Sequence, residues 1–267
     1  MRSKEELDAA WEKATGLHRA GKLNDAETIY RQILAAQPSL ARVWHQLGIA
    51  QSQQGRRAEA LAAFDNALLA DPDMSEALIG RGEMLMQLRR DAEAVTPLER
   101  LVALKPDNAN AWTLLSGALV SLGRCEEALA AQDRALAVQP GNADWITNRG
   151  MLLQRLKRYE DSLENLNKAV ELRPNDARAL NLRAVSLALL GRLNEALLNV
   201  DEALAISPQL FHAHYNRAGV LIDLGRPEEA VTAYDRVLAL APEHQEARQR
   251  RALLLEQIKN RQSAKPH

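Results

Sequence analysis

The sequence predicts an all-α protein, with seven 34-residue helix-turn-helix units in a row and a C-terminal capping helix. Three rows of residues carry this expectation. Pro38, Pro72, Pro106, Pro140, Pro174, Pro208 and Pro242 recur with a constant step of 34 residues. Gly21, Gly55, Gly123, Gly191 and Gly225 keep the same step, with Arg89 and Lys157 in the two missing slots. Five positions later stand small residues: Ala26, Ala60, Ala94, Ala128, Ser162, Ala196 and Ala230. A register held through seven units without insertion or deletion marks a repeat architecture. Its units must stack, because none buries its apolar faces alone.

Each unit reads as two helices. In residues 177–210, Leu180, Ala184, Leu187 and Leu190 are spaced by three or four, which is one helical face. Gly191 can take the left-handed conformation that ends a helix. Leu193, Ala196, Leu197, Val200, Ala203 and Leu204 form a second face of the same period. Pro208, with no N–H to donate, stops that helix. Small residues such as Ala196 and Ala203 let the two helices approach closely. After the seventh unit, Arg248, Ala252, Leu255 and Ile258 continue the register as half a repeat, with polar Gln257, Lys259 and Gln262 as a solvating cap. Pro97 falls inside a second helix and is expected to kink it. Pro227 opens a second helix, where proline is well tolerated. Arg89 and Lys157 imply slight strain or another cap geometry at their turns.

Composition narrows the function classes. The 267 residues carry 34 Lys+Arg against 35 Asp+Glu, a formal net charge of −1, with 46% hydrophobic and 26% charged residues. Such a balance excludes the clustered cation that nucleic-acid binding needs, and so much apolar material argues against disorder. Aromatics are only 4%, which weakens any all-β expectation. One cysteine, Cys125, excludes an internal disulfide framework. No apolar stretch reaches the roughly 18 residues of a membrane helix, and the start lacks a signal-peptide core. The expected location is cytoplasmic.

With units beginning at residues 7, 41, 75, 109, 143, 177 and 211, the repeat resembles the tetratricopeptide repeat family. The second unit matches through Trp44, Leu47, Gly48, Gly55, Ala60, Phe64, Ala67 and Pro72, and the fourth through Trp112, Leu115, Ser116, Ala128, Ala135 and Pro140. The units are 7–40, 41–74, 75–108, 109–142, 143–176, 177–210 and 211–244. They form one array over 7–262 with the cap at 245–262, and 1–6 and 263–267 are expected to be flexible. The resemblance implies a right-handed α-α superhelical solenoid whose first helices line a concave groove for an extended peptide or a partner helix.

Carried over by position, the groove residues are Trp11, His45, Ile49, Ile79, Glu83, Thr113, Asn148, Met151, Asn181, Tyr215 and Asn216. Exposed apolar area in one groove marks an interaction site, and the polar members would bond a peptide backbone. Trp44 and Trp112, at the fourth place, are expected in the core. The family's carboxylate clamp is matched only by Asn181, Val185, Asn216, Glu246 and Arg250, which brings too little positive charge. Its asparagine ladder, known in arrays preceding a nucleotide-sugar glycosyltransferase, is matched by Asn148 and Asn216, while Gly80, Leu114 and Leu182 depart from it.

Arginine replaces the family's seventh-place leucine at Arg81, Arg149, Arg183, Arg217 and Arg251. Asp65, Asp133, Asn167, Asp201 and Asp235 stand sixteen residues before. These pairs are expected to face each other across repeat interfaces and fix stacking register, each contributing about 0.2–1 kcal/mol.

Nothing in the chain forms a catalytic constellation. His212 and His214 point apart on a helix, and one cysteine cannot build a zinc site. Gly80-Arg81-Gly82 lies mid-helix, away from any strand, unlike a dinucleotide fingerprint. No cofactor or metal is expected. The expected function is a non-catalytic protein-interaction scaffold, monomeric or weakly self-associating, that binds a protein or peptide partner. The alternatives are the substrate-recruiting arm of a larger enzyme, such as a glycosyltransferase, and a self-assembling scaffold.

Overall fold

A computed structural model describes residues 4–263, and these are helical or in short turns, with no strand among them. The chain divides at Pro140 and Gly141 into two compact units. The first holds α1 (Lys4–Arg19), α2 (Leu23–Ala36), α3 (Ala41–Gln53), α4 (Arg57–Ala70), α5 (Ser75–Gln87), α6 (Asp91–Leu104), α7 (Ala109–Ser121) and α8 (Cys125–Val138). The second holds α9 (Ala143–Arg155), α10 (Tyr159–Leu172), α11 (Ala177–Leu189), α12 (Leu193–Ile206), α13 (Phe211–Asp223), α14 (Pro227–Leu240) and α15 (Gln245–Ser263). Helix α1 already begins within the segment 1–6, and α15 reaches Ser263; residues 1–3 and 264–267 lie outside the described residues.

Within each unit every helix packs on the next, and first helices also touch across units of the repeat: α3 on α5, α5 on α7, α9 on α11 and α11 on α13. Close packing follows from the small-residue row. Ala26, Ala60, Ala94, Ala128, Ser162, Ala196 and Ala230 are all fully buried, so the helix axes approach with no side chain between them. Ser162 is tolerated there because its hydroxyl donates to the Gly150 carbonyl at 2.8 Å and bonds the Ser186 hydroxyl at 2.9 Å. Helix α15 packs through Ala247, Leu254 and Ile258. Ala252 and Leu255 are exposed, with no second helix after α15 among the described residues.

The turn between paired helices is the same everywhere. Gly21, Gly55, Gly123, Gly191 and Gly225 have φ between 71° and 77°, and Arg89 and Lys157 adopt the same region at 61° and 60°. Lys22 N–H bonds the Leu17 carbonyl at 3.0 Å; Arg90 to Leu85 and Arg158 to Leu153, both 2.9 Å, repeat it. Arg89 and Lys157 therefore hold the glycine geometry under strain, without an alternative cap. Replacing either with glycine is expected to stabilise its unit by about 0.5–1 kcal/mol, read as a higher urea midpoint. An unchanged or lower midpoint would show that the backbone carries no strain there.

Helix α6 runs unbroken through Pro97, which is buried. Trp44 and Trp112 are half-buried, and each indole N–H donates to the proline carbonyl six residues earlier, Pro38 at 2.7 Å and Pro106 at 2.8 Å. His214 bonds Pro208 in the same way at 2.9 Å, so the fourth place ties the first helix to the turn before it wherever it carries a polar side chain of this reach.

The arginine ladder forms at Arg81, Arg217 and Arg251. Arg81 bonds Asp65 at 2.6 Å, Arg217 bonds Asp201 at 2.6 Å and Arg251 bonds Asp235 at 2.5 Å. Arg183 does otherwise and donates to Asn199 at 2.5 Å, sixteen residues after it. Arg149 donates to Asn165 at 3.0 Å. A seventh-place arginine lies between the second helix before it and the one after. The charged acceptor is the stronger, and Asn167 offers Arg183 none.

Candidate functional site

The first-unit face is built from α1, α3, α5 and α7. Trp11, His45, Ile49, Ile79 and Thr113 are half-buried there, and Glu83 is exposed. Between α1 and α3 opens a cavity of about 730 Å³, lined by Trp11, Thr15, His18, Gln46, Ile49 and Gln53 among others. Its indole wall is fixed from behind. Trp11 packs on Tyr30 with ring centroids 6.0 Å apart, and the Arg42 guanidinium lies 4.9 Å from the Trp11 ring. His18 bridges the Tyr30 hydroxyl at 3.3 Å and the Gln53 amide at 3.1 Å. Burial pushes the Tyr30 phenol up to about 12, so it stays protonated.

Two polar members of this face are partly spoken for. His45 packs on Phe64, centroids 5.8 Å apart. Burial lowers its pKa, with Glu76 opposing, so the ring is neutral at pH 7. The Thr113 hydroxyl donates to Ala109 of its own helix at 3.1 Å and can only accept from a ligand. Glu83 has no hydrogen bond or ion pair with any described residue, and burial pushes its carboxyl above the ordinary value. A glutamate whose folded-state pKa is raised gives up stability above that pKa and regains it as the pH falls through it. Glu83→Gln is therefore expected to melt slightly higher than wild type at pH 7, with the difference closing under acid. Equal melting at both pH values would place Glu83 in full solvent.

The second-unit face is built from α9, α11, α13 and α15. Asn148, Met151, Tyr215 and Asn216 are half-buried, whereas Asn181 is 7% exposed. The amides join neighbouring first helices. Asn216 donates to the Asn181 side chain at 2.9 Å, and Arg178 donates to Asn148 at 2.7 Å. Tyr215 packs edge-on to Tyr234 at 5.8 Å and against His244 at 5.5 Å, with the Arg250 guanidinium 5.8 Å from its ring. Burial first, and then a bond to Glu246, push its hydroxyl up to about 12. Arg250 in turn bonds Glu246 at 2.9 Å.

Arg178 belongs to this face but was not named from the sequence, which met Glu246 and Arg250 only as members of an incomplete carboxylate clamp. A second row was also missed. Arg56, Arg90, Arg124, Arg158, Arg192 and Arg226 each bond an acidic residue three positions on, as Arg90 does to Glu93 at 2.7 Å. Its 34-residue step made it findable. It lies at second-helix starts, where the acidic partner also complements the helix dipole. Among the described residues no group of His, Cys, Asp or Glu could hold a metal ion, and no helix is long and apolar enough to cross a membrane.

Family models described as tetratricopeptide repeat match residues 45–109, 115–186 and 211–244, more than half of the chain. The chain belongs to the tetratricopeptide repeat family. No curated protein matches it. Among solved structures, a tetratricopeptide repeat protein from Parabacteroides merdae is similar at 17% identity and a TM-score of 0.72, covering 93% of this chain and 98% of that one. MamA is similar at 23% identity and a TM-score of 0.58 over 61% of this chain and 95% of that chain. YrrB, described as having an unusual peptide-binding site, is similar at 24% identity and 0.55, over 69% and 95%. At these identities the likeness shows the shared tetratricopeptide fold.

Proposed function

We propose that this tetratricopeptide repeat protein is a non-catalytic scaffold, located in the cytoplasm, that binds an extended peptide or a helix of a partner protein along its first helices. The cavity between α1 and α3 is the observation that carries the proposal. Trp11 and Ile49, assigned to the groove by position alone, line one concave space with the amides of Gln46 and Gln53. Concave sites with apolar walls and a few convergent polar groups are where ligands bind. Helices held by tetratricopeptide packing need no ordering when a segment docks, which removes part of the cost of association. The second-unit face offers Asn148, Met151, Tyr215 and Asn216 as a binding face of its own.

A pull-down from the native source tests this, comparing wild type with a variant carrying Asn148→Ala, Asn181→Ala, Tyr215→Ala and Asn216→Ala; circular dichroism verifies that the variant is folded. A partner captured by wild type and lost by the variant supports recognition on the second-unit face. Equal capture by both contradicts the assignment of those four residues. Weak self-association is a second reading, favoured by Leu253 and Leu255 on α15, which are 58% and 42% exposed. Mass rising with concentration in light scattering would support it.

A further inference from the structure

The first-unit face carries, at Glu83, a carboxylate with no hydrogen bond or ion pair to any described residue. Asp65, Asp73, Glu93 and Glu127 of the same unit each sit within 2.7 Å of an arginine nitrogen. Glu83 has no such partner. It stands mid-way along α5, with Ile79 one turn before it and Met86 one turn after, all on the side where α3 and α7 flank α5. Met86 extends this apolar floor to α7: a Cβ on Gly117 would lie 3.2 Å from its terminal methyl. Glu83 is exposed while Ile79 and Met86 beside it are half-buried, so its carboxylate is open to a cation whose alkyl stem can lie on the apolar floor. One helix away is the cavity walled by Trp11 and Ile49, with the opposite charges of Glu12 and Arg19 at its rim.

We infer that the first-unit face binds an extended segment of a partner protein, seating an apolar side chain in the Trp11–Ile49 cavity and a lysine or arginine on Glu83. This rests on the groove function proposed above and adds the chemistry of the partner. The alkyl stem of the lysine or arginine lies along Ile79 and Met86 while its head meets the carboxylate. Neighbouring helices pack about 8–10 Å apart. From the cavity between α1 and α3 to α5 is therefore about 12–15 Å, which an extended chain spans in about four residues. The partner motif is a bulky apolar residue and a basic residue about four positions apart.

The test is selection on the full chain from a displayed library of random peptides about 12 residues long, enough to span about 40 Å extended. An enriched peptide is then titrated by fluorescence anisotropy. Enrichment of a lysine or arginine at the stated distance from an apolar residue is expected. Glu83→Gln should weaken binding about ten- to a hundredfold, as for a lost charge-assisted hydrogen bond. Glu83→Lys should abolish it, and a peptide with its basic residue changed to glutamate should recover binding to Glu83→Lys. Enriched peptides without a basic residue, or equal affinity for wild type and Glu83→Gln, would overturn the inference. In that event a loss of affinity in Ile49→Ala would leave the groove function standing. Affinity unmoved by Ile49→Ala and by the second-unit variant, or a library without a binder, would overturn both.

Discussion

Phe64→Ala should destabilise the first unit by about 3–5 kcal/mol, the usual cost of emptying a buried phenylalanine site, and Gly80→Ala by about 1–3 kcal/mol through overpacking. The Phe64 ring is 2% exposed and lies between the backbones of two first helices. A Cβ built on Gly48 of α3 would come within 2.8 Å of the ring, and one on Gly80 of α5 within 2.5 Å. Neither contact can relax by turning a flexible side chain, because the ring is wedged from both sides. Gly82 against Leu98 and Gly150 against Leu166 show the same approach at 2.7 Å, so the eighth place of a unit is small wherever the side chain facing it is large. Gly80→Ala in a Phe64→Leu background should cost less than the sum of the separate changes, the coupling expected of groups in contact. Urea unfolding followed by tryptophan fluorescence reads each value. Additive effects, or a Gly80→Ala midpoint equal to wild type, would contradict this packing.

Glu27→Ala should cost the first unit about 2–3 kcal/mol, because it removes the buried carboxylate that Arg31, Gln54 and Arg56 share. Glu27 is 8% exposed. It accepts from Arg31 at 3.0 Å and Gln54 at 3.4 Å, and closely from Arg56, which holds Glu59 at 2.7 Å as well. The Gln51 amide completes the cluster, donating to the Glu59 carbonyl at 3.1 Å and accepting from Arg31 at 3.2 Å. Burial alone would raise the Glu27 carboxyl; Arg56 and then Arg31 outweigh it and hold the pKa below the ordinary 4.5. Part of the cluster reaches solvent, so the cost stays below that of a fully buried ion pair. A glutamate with a lowered folded-state pKa supplies stability above its unfolded value and loses it as the pH falls through the folded one. The gap between wild type and Glu27→Ala should therefore be full at neutral pH and narrow below pH 4.5. A gap that does not change with pH would mean the carboxylate's charge contributes nothing.

The helices, their turns and the buried small-residue row were legible in the sequence because one 34-residue register fixes them all. A proline stop, a left-handed turn and an alanine contact each have a local cause that a single chain displays. The partners of the arginines were legible only in part. Arg81, Arg217 and Arg251 face a carboxylate that sequence distance identified. Arg183, with Asn167 in the expected slot, instead reaches the Asn199 amide sixteen residues on, a choice between two neighbouring helices that spacing does not settle. The first-helix faces lie between these cases. Position placed Trp11, Ile49, Glu83 and Tyr215 on them, but not the sealing of Asn181 beneath Asn216, nor the turning of the Thr113 hydroxyl into its own helix. Such details depend on side-chain reach across to a neighbour, which the repeat register does not encode.

Recognition along the first helices, as proposed above, is open to direct observation. Methyl resonances of the full chain, recorded with and without a peptide selected as above, test it most directly. Ile49, Ile79, Met86 and Met151 report on those faces, while Leu69 and Leu198, 82% and 69% exposed on second helices, report on the outside. Shifts at Ile49, Ile79 and Met86 that saturate with the peptide are expected, and none at Leu69 or Leu198. Shifts confined to Leu69 and Leu198 would contradict this and move recognition to the second helices.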